Sequence, residues 1–108
     1  MVANKQLQTI ETILVGASGV GGGQNKVAIL GLTFCNTGAV AVTISIYSYS
    51  AGGVLGPESA MFIDIPIESK GTYFMAKDEL RTFALGDTLS AIASMDGVVN
   101  VNINFEFM

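Results

Sequence analysis

Along most of the chain, apolar and polar residues alternate at every second position, and no segment keeps a helical period for three turns. Such alternation predicts half-buried β-strands, punctuated by clusters of Gly, Asn, Asp and Ser. Residues 1–6 read as a flexible N-terminal arm, Leu7–Val15 as the first strand, and residues 16–25 as a flexible Gly-rich loop. The second strand, Lys26–Asn36, sets Ala28, Leu30, Leu32 and Phe34 on one face. The third, Val40–Ser50, points Val40, Val42, Ile44 and Ile46 inward and Ala41, Thr43, Ser45 and Tyr47 outward. A loop at Ala51–Glu58 carries Gly52-Gly53 and Gly56-Pro57, and a fourth strand, Ala60–Ile65, is expected to stop at Pro66. Glu68–Gly71 is a turn and Thr72–Met75 a further strand. The stretch Ala76–Arg81 is too short for a stable helix and reads as a turn or a 3-10 segment.

The C-terminal pattern is the most informative. Met95, Asp96 and Gly97 separate strands at Asp87–Ser94 and Val98–Phe107. A two-residue Asp-Gly turn would set Leu89, Ala91 and Ala93 opposite Asn104, Asn102 and Asn100, mixing the faces. A three-residue loop with Gly97 left-handed shifts the register by one. Ala93 then faces Val99, Ala91 faces Val101 and Leu89 faces Ile103, while Ile92, Ser90 and Thr88 meet Asn100, Asn102 and Asn104. A loop at Thr37-Gly38-Ala39 similarly aligns Phe34, Leu32 and Leu30 with Val42, Ile44 and Ile46. Seven or eight such strands in 108 residues predict one all-β domain, an antiparallel β-sandwich or jelly roll.

Composition adds a statement about partners. The chain is 50% hydrophobic and 13% charged, against roughly 25% charged in average proteins. A surface so short of charge is expected at an interface, so a homo-oligomer is predicted. Net charge is −4 and the five Lys and Arg are scattered singly, which argues against direct nucleic-acid binding. Cys35 is the single cysteine and sits in an apolar run, so it reads as a buried structural thiol with no intrachain disulfide to make. Residues 1–6 lack the apolar stretch of a secretory signal, and no run is long enough for a membrane helix. Synthesis in the cytoplasm and no membrane partner are expected.

The residues for catalysis are sparse. With no histidine and one cysteine, the usual zinc sites and the Ser-His-Asp and Cys-His arrangements are absent. Two carboxylates suffice for a glycosidase, but Asp64, Glu68, Asp78, Glu79, Asp87 and Asp96 lie mostly at predicted turns, and no enzymatic role is expected. The glycines from Gly16 to Gly23 are followed by Gln24, Asn25 and Lys26 and then a strand, so neither the P-loop nor the dinucleotide pattern is met. Asp64 and the Asp96-Gly97 turn lack the dense oxygen spacing of a calcium loop. No metal and no cofactor are expected. Asn100, Asn102 and Asn104 form a row along one strand face, which is either a solvated outer face or a hydrogen-bonding surface. Tyr47 and Tyr49 share the outward parity of their strand. They are either interface anchors or cross-strand packing. These five residues and Ile92 are the candidate protein interface.

From end to end the chain resembles a loose group of small phage virion proteins of β-sandwich architecture. The resemblance is carried by Gly31–Asn36, Val42–Tyr47, Ile65–Thr72, Leu85–Ser94 and the Val99–Phe107 strand. It implies a capsid decoration (cement) protein, typically trimeric, which binds the major capsid protein or another virion protein and is localised to the virion after assembly in the host cytoplasm. A small tail or neck component is the related alternative. A carbohydrate-binding or receptor-binding sandwich is the reading from another class, with the absence of tryptophan against it.

Overall fold

The structure, a computed structural model, describes residues 1–22, 24, 26–50, 52–76, 82–83 and 86–107. Ten strands lie among them: β1 Val2–Gln6, β2 Thr12–Gly16, β3 Val20–Gly21, β4 Val27–Asn36, β5 Val42–Tyr49, β6 Ala60–Ile67, β7 Thr72–Ala76, β8 Thr82–Phe83, β9 Thr88–Ala93 and β10 Val99–Phe107. The first sheet runs β1-β10-β4-β7, with β8 also on β4, and the second runs β3-β2-β9-β5-β6. Every pairing is antiparallel except the short one between β2 and β3. The expected all-β sandwich is therefore what the chain forms. The strand count exceeds seven or eight because two strands have only two residues and the N-terminal arm is itself a strand.

The winding is that of a jelly roll. β5 pairs with β6, β4 with β7, β2 with β9 and β1 with β10. The pairs are nested about the loop at residues 50–59, as in one long hairpin rolled on itself. Each half of that hairpin crosses from one sheet to the other. The alternating apolar residues of both sheets meet in a single core, in which Leu32, Phe34, Ile44, Ile46, Leu89, Val101 and Ile103 are fully or almost fully buried. Each such side chain contributes about 1.5–3 kcal/mol by leaving water.

The structure corrects several strand boundaries. Residues 2–6 pair with β10, and Leu7–Val15 is not one strand. Leu7 is a buried crossover residue whose N–H donates to the Val99 carbonyl at 2.8 Å, and pairing resumes only at Thr12. Within β4 the inward set changes parity at a bulge opposite Asn104 and Phe105. Val27 and Ile29 are therefore buried on one side of it and Leu32 and Phe34 on the other, while Ala28 and Leu30 face outward. Val40 lies outside β5 and is 54% exposed. β6 continues through Pro66 to Ile67, which an edge strand allows because no ladder partner needs the missing N–H. Of Ala76–Arg81, Ala76 ends β7 and the rest lies outside the described residues.

Two predicted hairpins are instead crossovers between sheets. β9 and β10 belong to different sheets, as do β4 and β5. Gly97 does take the expected left-handed conformation, with φ 72°. The turn around it carries the chain across the sandwich, where the Gly97 N–H donates to the Leu7 carbonyl at 3.0 Å and the Thr9 N–H to Asp96 Oδ1 at 2.6 Å. The crossovers at residues 7–11 and 94–98 thus brace one another.

Asn36, fully buried at the end of β4, ties the other two crossovers together. Its Nδ2 donates to the carbonyls of Val40 (2.8 Å), Ile67 (3.1 Å) and Glu68 (3.1 Å), and its Oδ1 accepts from the Gly38 N–H (2.9 Å). One amide thus satisfies the buried Ile67 carbonyl and three partly buried backbone groups.

Candidate functional site

The outward parity of the first sheet assembles three rows of uncharged side chains, bordered on β10 by the exposed Glu106 and on β1 by Lys5. β10 presents Asn100, Asn102 and Asn104 outward because Val99, Val101 and Ile103 are in the core. Register extends each asparagine into a row across four strands. The rows are Gln6–Asn100–Cys35–Thr72, Asn4–Asn102–Thr33–Phe74 and Val2–Asn104–Gly31–Ala76. None of these positions holds Asp, Glu, Lys or Arg. Cys35, expected to be buried, is only half-buried, because its parity within β4 points away from the core. The first charge along β10 is Glu106, beyond the bulge and opposite Ala28. Lys5 has the inward parity of its strand, and its Nζ donates to the Ser18 carbonyl at 2.8 Å.

The amides are partly pre-arranged. Asn102 Nδ2 donates to Asn4 Oδ1 at 2.9 Å. Gln6 Nε2 donates to the Gly97 carbonyl at 2.8 Å and, more weakly, to Asn100 Oδ1 at 3.4 Å. Each primary amide has two donors and an acceptor with two lone pairs, so the rows retain unused capacity of both kinds towards a partner. At the end of the middle row, Phe74 is 59% exposed and leans over Gly31. A Cβ at Gly31 would lie 3.1 Å from Phe74 Cε1, so glycine there leaves room for the ring.

The six sequence candidates divide between two faces. Asn100, Asn102 and Asn104 are exposed on the first sheet, as their alternation predicts. Ile92 is not beside them. β9 lies in the other sheet, where Ile92 pairs with Ser45 on β5, because the connection from β9 to β10 is a crossover and not a hairpin. Tyr47 and Tyr49 also belong to that second sheet.

Tyr49 is engaged within the molecule. Its hydroxyl donates to Glu11 Oε2 at 2.6 Å. Burial, followed by that hydrogen bond and the carboxylate's charge, pushes its pKa up to about 12, with a hydrogen bond from Thr88 acting in the opposite direction. Tyr47 lines an apolar groove of about 340 Å³ with Leu55, Pro57, Ala60 and Ile63. Between Tyr47 and Ile13, its cross-strand neighbours, Ser90 is fully buried, and its hydroxyl has no hydrogen-bond partner among the described residues.

The Gly-rich segment is structured where it is described. Val20 and Gly21 pair with Val15 and Gly16, and a side chain at Gly19 would fall 2.5 Å from the Leu14 carbonyl oxygen. Among the described residues no group of three or more His, Cys, Asp or Glu is placed to hold a metal ion, and no helix is long and apolar enough to cross a membrane.

Asn4, Gln6, Thr33, Thr72 and Phe74 are the face residues that the sequence reading missed. The alternation Val2-Asn4-Gln6 was a signal for the first two once residues 1–6 are taken as a strand. The others need the strand order, which is set by contacts far apart in sequence. Comparison with known proteins adds no relative: no family model matches the chain, and neither the curated proteins nor the solved structures give a significant match.

Proposed function

We propose that this chain is a structural protein of a virion, a decoration component that adheres to an assembled shell through the uncharged amide face of its first sheet. The observation that supports this reading is the concentration of neutral, hydrogen-bonding side chains on one sheet in a chain of net charge −4. A solvated outer face needs no such segregation, since charged residues on exposed strands favour solubility. Burying amides against another protein exchanges water for amide and peptide partners, without the larger cost of desolvating ions. The mechanism is passive. A protein that binds only the assembled lattice stabilises that lattice by mass action, in proportion to the logarithm of its concentration over Kd.

The test is co-sedimentation with purified shells that lack this protein, prepared from the virus that encodes it. The wild-type chain is expected to pellet with shells at a saturable ratio. Asn102→Arg places a charge at the centre of the face and is expected to weaken binding at least tenfold, with the fold unchanged by circular dichroism. Failure of the wild type to bind, or full binding by Asn102→Arg, overturns the proposal. A carbohydrate-binding role is the second reading, favoured by the exposed Phe74 ring at the end of an asparagine row. Saturable binding of oligosaccharides without binding to shells would establish that reading instead.

A further inference from the structure

β7 is the last strand of the first sheet. It pairs with β4 on one side, and among the described residues no strand pairs with its other side. Sheet edges in natural proteins are guarded by proline, bulges, charge or brevity, because unpaired N–H and C=O groups invite another strand. The remaining edges of this sandwich carry such guards. β6 has Pro66 and an irregularity around Asp64, whose φ is 52°. β3 and β8 have two residues each, and β1 has Lys5 at an inward position. β7 has the sequence Thr-Tyr-Phe-Met-Ala, with neither proline nor charge.

The flank beside β7 is also incompletely closed. Tyr73 packs against the core but is only partly buried. An open groove of about 350 Å³ begins at Thr72 and Tyr73 and reaches Pro66 and Ile67.

We propose that β7 pairs antiparallel with β7 of a second copy of this chain, centred on Phe74, so that two first sheets become one. The strand is self-complementary in that register. Phe74 meets its own counterpart, Tyr73 meets Met75, and Thr72 meets Ala76. Two exposed phenylalanines cover each other on the outer face, and a tyrosine meets a methionine on the inner one. Two chains of net charge −4 repel each other, but the five residues of β7 carry no charge of their own. The twofold axis stands perpendicular to the sheet, so the two amide faces lie side by side on one surface. The proposal does not depend on what that surface binds.

The experiment combines mass with cross-linking. Light scattering across a concentration series is expected to show twice the 11.2 kDa chain mass. Phe74→Lys puts like charges in contact and is expected to weaken self-association at least tenfold, with unchanged circular dichroism. In a Cys35→Ser background, Phe74→Cys is expected to form an intermolecular disulfide under mild oxidation, since directly opposed residues lie within disulfide reach.

A strict monomer at high concentration overturns the proposal, as does a trimer of the kind the family resemblance implies. An oligomer that ignores Phe74→Lys or gives no cross-link does so too. A monomer whose β7 amides are protected from hydrogen exchange would place the strand's partner within the chain itself. Asn102→Arg, which tests the shell face, is expected to leave the dimer intact, so the two proposals fail separately.

Discussion

Asn36 shows how much one side chain can organise. Three carbonyls from two separate crossovers converge on its amide nitrogen, and its oxygen holds the Gly38 N–H. Asn36→Ala removes the partner of the buried Ile67 carbonyl and of two partly buried carbonyls, and opens a small cavity. It is expected to cost about 3 kcal/mol, or a fall in Tm of roughly 15 °C for a domain of this size. Thermal unfolding measures it directly, and a shift of a degree or two would show that water replaces the amide. Tyr49 carries a pH dependence. Its folded pKa of about 12 lies above the value of 10.0 for an unperturbed tyrosine. Folding therefore favours the neutral phenol, and this contribution is complete below pH 10 and lost as pH rises through about 12. Between those pH values the wild type is expected to lose more stability than Tyr49→Phe, as read by denaturant titration at each pH. Parallel curves for the two proteins would remove Tyr49 as the cause.

At the level of elements, what the sequence made legible was which way side chains point. Leu89, Ala91, Ala93, Val99, Val101 and Ile103 are all buried, as the alternation predicts. What it left open was whom they face. An apolar stripe looks the same whether its neighbour lies 5 Å away in the same sheet or 10 Å away in the opposite one, and short loops serve both connections. The Gly97 turn and the Thr37-Gly38-Ala39 loop accordingly read as hairpins, whereas both are crossovers. The β4 bulge was illegible for a related reason: a parity change needs a partner strand to be visible, and Ala28 and Leu30 look like core residues on hydrophobicity alone. For the candidate face, the asparagine row was legible because it repeats along one strand. Its extension to Asn4, Thr33 and Phe74 follows from pairings between distant parts of the chain.

For the whole molecule, the absence of charge from the three amide rows makes a prediction about solvent. Ion pairs between partners weaken as salt rises, with screening over about 10 Å at 0.1 M. A contact made by amides and apolar groups lacks that dependence. Affinity for shells is therefore expected to change less than about threefold between 50 and 500 mM sodium chloride, a range over which strongly charge-driven binding falls by orders of magnitude. Isothermal titration across the series measures this, and a steep loss of affinity would assign binding to charged residues elsewhere on the surface.

The nested strand pairing also bears on the order in which the protein is made. Of the ten strands β1 comes first in the sequence, and among the described residues its one strand partner is β10, which comes last. The two are joined even at their ends, where the Met1 amine donates to the Phe105 carbonyl at 2.9 Å. The innermost pair, β5 with β6, closes the shortest loop and is free to form while later strands are still unmade. On the ribosome the roll therefore closes from its middle outward. Of the strands described, β1 waits for its partner until β10 has been delivered.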